Sequence, residues 1–292
     1  MQYQVTHTTE YEYHQPVSIC HNVAKLFLRD TSDQSCRKTL IKISPEPEIK
    51  NEYTDFFGNK TLYFAIQHEH KHLRVTVTSI IDKKPGVNNA PELFTNTAWE
   101  EVQQQIATNG EADFSARQYV AETAITQASE QIRAYSLQSF TPGRSMLAAA
   151  KELMQRIHTD FQFVPGFTTV ATPLDVVMKE RKGVCQDFAH LAIACIRAVG
   201  LPARYVSGYL ETLPPPGKEK LTGVDASHAW FAVYMPNQGW LDFDPTNNMI
   251  PAAQHITIGW GRDYADITPL KGVILSSGPH RLHVSVDVKR LG

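Results

Sequence analysis

The chain has 292 residues, and at about 100–200 residues per domain that length fits one large or two modest domains. Its 28 Lys and Arg against 30 Asp and Glu leave a net charge of −2, which excludes the basic face that nucleic acid or an anionic membrane demands. With 42% hydrophobic and 10% aromatic residues, and Gly and Pro at ordinary frequency, it is neither disordered nor low in complexity.

No apolar stretch approaches the roughly 18–20 residues that span a bilayer, because the most apolar run, 188–199, carries His190 and Arg197. The first fourteen residues are polar and alternating, with neither a basic leader nor an apolar core, so the expectation is a cytoplasmic protein. Its four cysteines form no Cys-x-x-Cys pair and are too few for a disulfide framework, so each is judged by its surroundings.

In the opening segment Tyr3, Val5, His7, Thr9, Tyr11 and Tyr13 alternate with polar residues, the period of a half-buried strand. Further strands are predicted over 18–29, 36–43, 53–56, 61–67 and 73–81, broken at Pro45-Glu46-Pro47 and Gly58-Asn59, and together they suggest a small β-sandwich over 1–84. His68, His70 and His72 alternate on one of these strands. No cysteine or carboxylate at ligand spacing completes a zinc site, so they read as the solvated face of a hairpin, and no metal is expected there.

The first domain is expected to end near Pro85-Gly86; within the linker region 85–140 a polar stretch runs to Thr97, then 98–139 turns to Ala, Gln and Glu with isolated apolar positions, a connection of short helices, and 141–292 forms the second domain. Leu147, Ala150, Met154 and Ile157 mark one apolar helix face. A short strand follows near 161–164, then a helix with Thr172 as N-cap and Pro173 at its first position. The next helix runs over 186–199 and ends at Gly200, and strands are predicted at 203–210, 228–235, 240–243 and 283–288. The closing segment, 270–291, either completes the second domain's sheet or returns to the first domain.

Cys185 immediately precedes the 186–199 helix, where free N–H groups and the positive end of the dipole favour a thiolate. Cys195, mid-helix, reads as a small buried hydrophobe, and Cys20 and Cys36 as structural. A cysteine nucleophile needs a base and a group to orient it. His190 is disqualified because five residues put it about 140° around the helix from Cys185. His228 opens a strand after a Pro/Gly-rich loop and approaches from another element. Asp242 and Asp244 compete as its partner, with Asp244 modestly preferred because Pro245 ends the pairing and frees it to turn.

Gly183-Val184-Cys185-Gln186-Asp187-Phe188-Ala189-His190, Arg204-Tyr205-Val206-Ser207-Gly208-Tyr209, Ser227-His228-Ala229-Trp230 and Gly239-Trp240-Leu241-Asp242-Phe243-Asp244-Pro245-Thr246 together resemble the bacterial transglutaminase-like proteins. The opening strands, with His7-Thr8-Thr9-Glu10-Tyr11 and Asp55-Phe56-Phe57-Gly58-Asn59, resemble the β-rich domain that precedes the catalytic domain in that group. The resemblance implies an α+β fold: a papain-like transglutaminase core, its nucleophile helix packed on an antiparallel sheet, preceded by a small β-sandwich-like domain. It implies a Cys-His-Asp triad of Cys185, His228 and Asp244, and thiol-dependent amide hydrolysis or acyl transfer through a thioester on a peptide or protein, without a cofactor. The animal transglutaminases place a Trp upstream of the nucleophile; here none lies between Trp99 and Trp230, which favours a hydrolase or an unusual acceptor.

Gln186, Tyr209 and Trp230 are the candidates for substrate-binding walls, the core being the alternative place for the two aromatics. The Pro214-Pro215-Pro216-Gly217 connection is a solvated loop or a flap over the cleft. The rival readings are a catalytically silent binding or scaffolding protein of the same fold and a metal-dependent hydrolase; no glycine-rich phosphate loop supports a nucleotide cofactor.

Overall fold

The computed structural model describes residues 1–84, 97–108, 115–212, 226–276 and 278–291. The expected boundary at Pro85-Gly86 and the Pro214–Gly217 connection lie outside the described residues. Among the described residues no helix is long and apolar enough to cross a membrane.

The N-terminal half is a sandwich of two four-stranded antiparallel sheets. One has the order β14-β1-β6-β3, with β1 Gln2–Val17, β3 Gln34–Ser44, β6 His70–Lys83 and β14 His280–Arg290. The other has the order β13-β2-β5-β4, with β2 Ile19–Ala24, β4 Ile49–Thr54, β5 Lys60–Ile66 and β13 Leu270–Leu275. The period-two pattern of β1 is its burial pattern: Tyr3, Val5, His7 and Thr9 point inward and are buried while their even-numbered neighbours are not. Tyr13, Val17, Cys20, Phe64, Val75 and Val77 fill the space between the sheets.

The closing segment returns to the first domain. β14 pairs with β1 from Tyr3↔Arg290 to Tyr13↔His280, and β13 pairs with β2. The sandwich is therefore built from both ends of the chain, which corrects the assignment of all of 141–292 to the second domain. The histidine expectation is corrected too: His70 is buried with its ring edge against Tyr13, because its side chain faces into the sandwich, while His68 is held outside by Glu48 at 2.6 Å.

The core between these ends has α1 Trp99–Thr108, α2 Glu130–Leu137, α3 Met146–Asp160, α4 Leu174–Glu180 and α5 Cys185–Ala198, with a two-stranded parallel pair, β7 Gln162–Phe163 and β8 Lys182–Gly183. Pro173, not Thr172, is the N-cap of α4; the Thr172 hydroxyl instead accepts from the Thr169 N–H at 3.0 Å. Helix α5 is buried from Asp187 to Ala198, as an all-round apolar sequence demands. It ends at Gly200, whose φ of +74° fits a residue without a side chain after a helix.

The α5 helix packs on the antiparallel sheet β11-β10-β9-β12, formed by β9 Ala203–Leu210, β10 Ala226–Met235, β11 Gly239–Phe243 and β12 His255–Gly261. Ala229, Phe231 and Val233 of β10 face the helix core. By the pleat, His228 and Trp230 project from the other face. The strand β12 is absent from the sequence expectations, since Gly259 and Gly261 interrupt its pattern and leave only Ile256 and Ile258 as a period-two signal.

Candidate active site

Cys185 is the first residue of α5, at the helix end whose leading N–H groups have no partner within the helix. No side-chain oxygen caps that end, because Val184 occupies the capping position. Asp187 reaches back instead: its Oδ2 accepts from the Val184 N–H at 2.8 Å and from the Thr168 hydroxyl at 2.5 Å. This turn requires Gly183, since a Cβ there would lie 2.9 Å from the Asp187 side chain. The α5 start is thus fixed in place, and the partly exposed Cys185 thiol faces a cleft of about 330 Å³.

His228, on β10, hydrogen-bonds Asp244 and borders the same cleft as Cys185. Its Nε2 donates to Asp244 Oδ2 at 2.7 Å, leaving Nδ1 as the ring nitrogen for the thiol. Burial works to lower the His228 pKa, but the hydrogen bonds and negative charges of Asp244 and Cys185 outweigh it and raise the group to about 10.

Asp244 follows β11 and is fully buried. Its backbone pairs with Met249, closing the Asp244-Pro245-Thr246-Asn247 turn, and its Oδ1 accepts from the Thr246 and Asn247 N–H groups at 2.9 and 3.2 Å. Oδ2 accepts from His228, from Asn247 Nδ2 at 2.7 Å and from His255 Nε2 at 2.9 Å. Burial would raise this carboxyl, yet the donors, His228 foremost, hold it well below the usual carboxylate range. His255 Nδ1 accepts from the Ala252 N–H at 3.4 Å, which fixes this ring as the Nε2–H tautomer.

The geometry also separates the two aspartates. Asp242 Oδ2 accepts from Trp230 Nε1 at 3.0 Å and makes no bond to His228. His190 is turned away from Cys185, stacked 4.8 Å from Tyr205 and accepting from the Tyr264 N–H. Of the three predicted cleft walls, Gln186 lines the cleft. Tyr209 and Trp230 do not: Tyr209 is buried with its hydroxyl 2.9 Å from His7 Nδ1, and Trp230 is fully buried between His228 and His255. Tyr209 points into the contact with the N-terminal sandwich, whereas Trp230 lies on the opposite face of the sheet with Val206 and Ala232. That sandwich supplies cleft walls that sequence reasoning missed: His7, Thr9 and Tyr11 of β1 and Leu282 and Val284 of β14.

Among the described residues, His228, Asp244 and His255 are the one cluster of potential metal-binding donors. Two of its donor pairs are at hydrogen-bond separation, 2.7 and 2.9 Å, whereas ligands about 2.0–2.1 Å from a tetrahedral zinc stand roughly 3.3 Å apart. The donor set fits a proton between each pair and not an ion.

Residues 3–82 match the bacterial transglutaminase-like N-terminal region, and residues 133–245 match the transglutaminase-like superfamily. An uncharacterised protein of Mycobacterium tuberculosis is 38% identical over 291 residues, covering 98% of this chain and 92% of that protein. The chain belongs to the bacterial transglutaminase-like family. A protein-glutamine gamma-glutamyltransferase of Pseudomonas aeruginosa is 35% identical over 108 residues, 36% of this chain but only 16% of that enzyme. The crystal structure of a candidate cysteine protease from Cytophaga hutchinsonii superposes with a TM-score of 0.79 at 20% identity, covering 100% of this chain and 91% of that one. That likeness establishes the shared fold: a transglutaminase-like core with its β-rich N-terminal region.

Proposed function

We propose that this transglutaminase-like protein is a cysteine-nucleophile amide hydrolase or acyl transferase acting on peptide or protein carboxamides. The observation that carries this reading is Cys185 at the start of a buried helix, in one cleft with a His228 held by Asp244. The Cys185 sulfur attacks the carboxamide carbon, and the developing oxyanion takes the Cys185 backbone N–H as a donor. His228 delivers its proton to the departing nitrogen as the C–N bond breaks, leaving a thioester. Asp244 keeps the imidazole oriented and stabilises its charge. Water then releases an acid, or a primary amine forms a new amide.

Support also comes from the cleft, whose walls of Tyr11, Leu282 and Val284 offer apolar contact to a peptide beside the thiol. The relationship to a gamma-glutamyltransferase over part of the chain favours a glutamine carboxamide as the first substrate to try. The experiment incubates glutaminyl peptides with the protein, with and without a primary amine, and follows ammonia release and amine incorporation by mass spectrometry. Release in both conditions with no incorporation identifies a hydrolase, and incorporation identifies a transferase. The reading fails if Cys185→Ala, folded by circular dichroism, retains the turnover.

A further inference from the structure

A cavity larger than the one that holds Cys185 lies elsewhere in the molecule. It has a volume of about 610 Å³ and lies on the opposite face of the β11-β10-β9-β12 sheet, roofed by the N-terminal sandwich through Asp33, Phe57 and Lys83. That size is ordinary for a small-molecule site. Its walls are unusually aromatic, with Tyr119, Trp240 and Trp260 among them.

Arg204 of β9 stands in this wall with only 8% of its surface exposed. Its guanidinium carbon lies 4.4 Å from the Trp240 ring centre and 3.8 Å from that of Trp260, while Arg29 lies 3.6 Å from the same Trp260 ring. Two cations that close to one ring must take opposite faces, so the order of the stack is Arg29, Trp260, Arg204, Trp240. Arg29 is satisfied by Phe57 O and Asn59 Oδ1 at 2.9 Å each. Arg204 has no hydrogen-bond acceptor among the described residues, and its Nε is sealed without a partner.

Of the other charges of the cavity, one is paired and one is half satisfied, since Asp242 Oδ1 is sealed without a hydrogen-bond partner. Lys83 pairs with Asp33 at 2.8 Å, and Asp242 accepts from Trp230 while attracting Arg204 without hydrogen-bonding it. A buried, permanently charged guanidinium with no acceptor is costly, and its planar edge matches the two oxygens of a carboxylate. With both faces covered by indoles, only that edge is left to meet a ligand. Burial also raises the Asp242 carboxyl, which lessens its repulsion of an anion.

We propose that this cavity is a second binding site, which takes a small organic carboxylate by its oxygens on the Arg204 guanidinium edge and by its apolar body against Tyr119, Trp240 and Trp260. His255 and Trp230 also border the cavity, so an occupant touches the residues behind Asp244 and His228. The site is independent of the chemistry assigned to Cys185, and its test reads binding, not turnover.

The test titrates the full chain with benzoate and follows the four indole N–H signals by NMR. The expected result is a saturable shift of Trp240 and Trp260 with none at Trp99, which packs on Phe140 in the helical region. Benzamide, alike in shape but uncharged, is expected to bind at least about tenfold more weakly. Arg204→Gln, checked for a native spectrum, is expected to abolish the shifts; if it does not fold, the wild-type comparison of benzoate with benzamide decides alone. The proposal is overturned by no saturable shift at about 10 mM benzoate, by equal responses to the two probes, or by binding that survives in folded Arg204→Gln.

Discussion

His255 Nε2 lies 2.9 Å from Asp244 Oδ2, the same oxygen that holds His228 at 2.7 Å. The proposed triad is therefore four groups in a line, with the last imidazole locked as a donor by the Ala252 N–H on its far side. Removing His255 leaves a fully buried carboxylate short of one donor on the oxygen that holds His228. We expect His255→Ala to lower kcat about ten- to a hundredfold with little change in KM, and to cost about 1–3 kcal/mol of stability. His255→Gln, whose amide N–H can replace the donor, is expected to restore part of the rate. Steady-state kinetics and urea unfolding of the two variants check this, and equal losses in both would exclude the donor role.

Gly208 shows how closely the sheet is fitted behind His228. A Cβ at this position would lie 2.3 Å from the Ile256 carbonyl oxygen and 2.4 Å from the Trp230 ring. The carbonyl belongs to the neighbouring strand and cannot rotate away, so β9 and β12 must separate or Trp230 must move toward His228. Gly208→Ala is expected to destabilise the protein by about 1–3 kcal/mol and to reduce activity beyond what the unfolded fraction explains. Thermal melts and rates measured well below the melting temperature separate the two effects.

Much of this arrangement is legible in the sequence, and what is missing has a physical pattern. The alternation of β1 and the glycine and proline punctuation of α5 are local signals, and the structure follows them. Cys185, His228 and Asp244 stand out because helix termini and strand ends carry residue types that the core does not require. Tyr209 and Trp230 lie away from the cleft on opposite faces of the sheet, one against the N-terminal sandwich and one beside Val206 and Ala232, and a strand's period gives two faces without saying what each will meet. His255 sits on a strand weakened by glycines, and its importance arises only when β12 pairs with β9 and brings it beside Asp244. The destination of β13 and β14 is likewise a long-range pairing, which local pattern leaves open.

Buried histidines make the stability depend on pH in both directions. Burial lowers His7 to about 4 and His190 to about 3, while in the unfolded chain each takes a proton near pH 6.5. Below about pH 6.5 the unfolded state binds more protons than the folded one, so stability falls as the pH drops toward these folded values. His228, raised to about 10, acts in the opposite direction: its contribution is complete below about pH 6.5 and is lost as the pH rises through about 10. Urea midpoints measured from pH 4 to pH 10 are expected to fall on both sides of neutrality. His7→Gln should flatten the acid side and His228→Gln the alkaline side, and a profile unchanged by either substitution would show that other groups control it.

The four cysteines offer a direct chemical readout of the site. Burial pushes the Cys195 thiol up to about 12 and raises Cys20 as well, so both are shielded from solvent and held in the unreactive thiol form. Cys36 is partly exposed but sits on a sandwich strand beside Thr39, with no histidine partner among its contacts. Cys185 is the partly exposed thiol that shares its cleft with the His228 imidazole. Iodoacetamide is therefore expected to label Cys185 fastest at pH 6–7, with Cys36 slower and Cys20 and Cys195 protected until the protein unfolds. In His228→Ala the Cys185 rate should drop by about tenfold or more, because the imidazole that assists the nucleophile is gone, while the Cys36 rate stays unchanged and serves as the internal control. Peptide mass spectrometry resolves all four sites in one digest, and labelling of Cys185 at the Cys36 rate in the wild type would remove the basis for assigning it as the nucleophile.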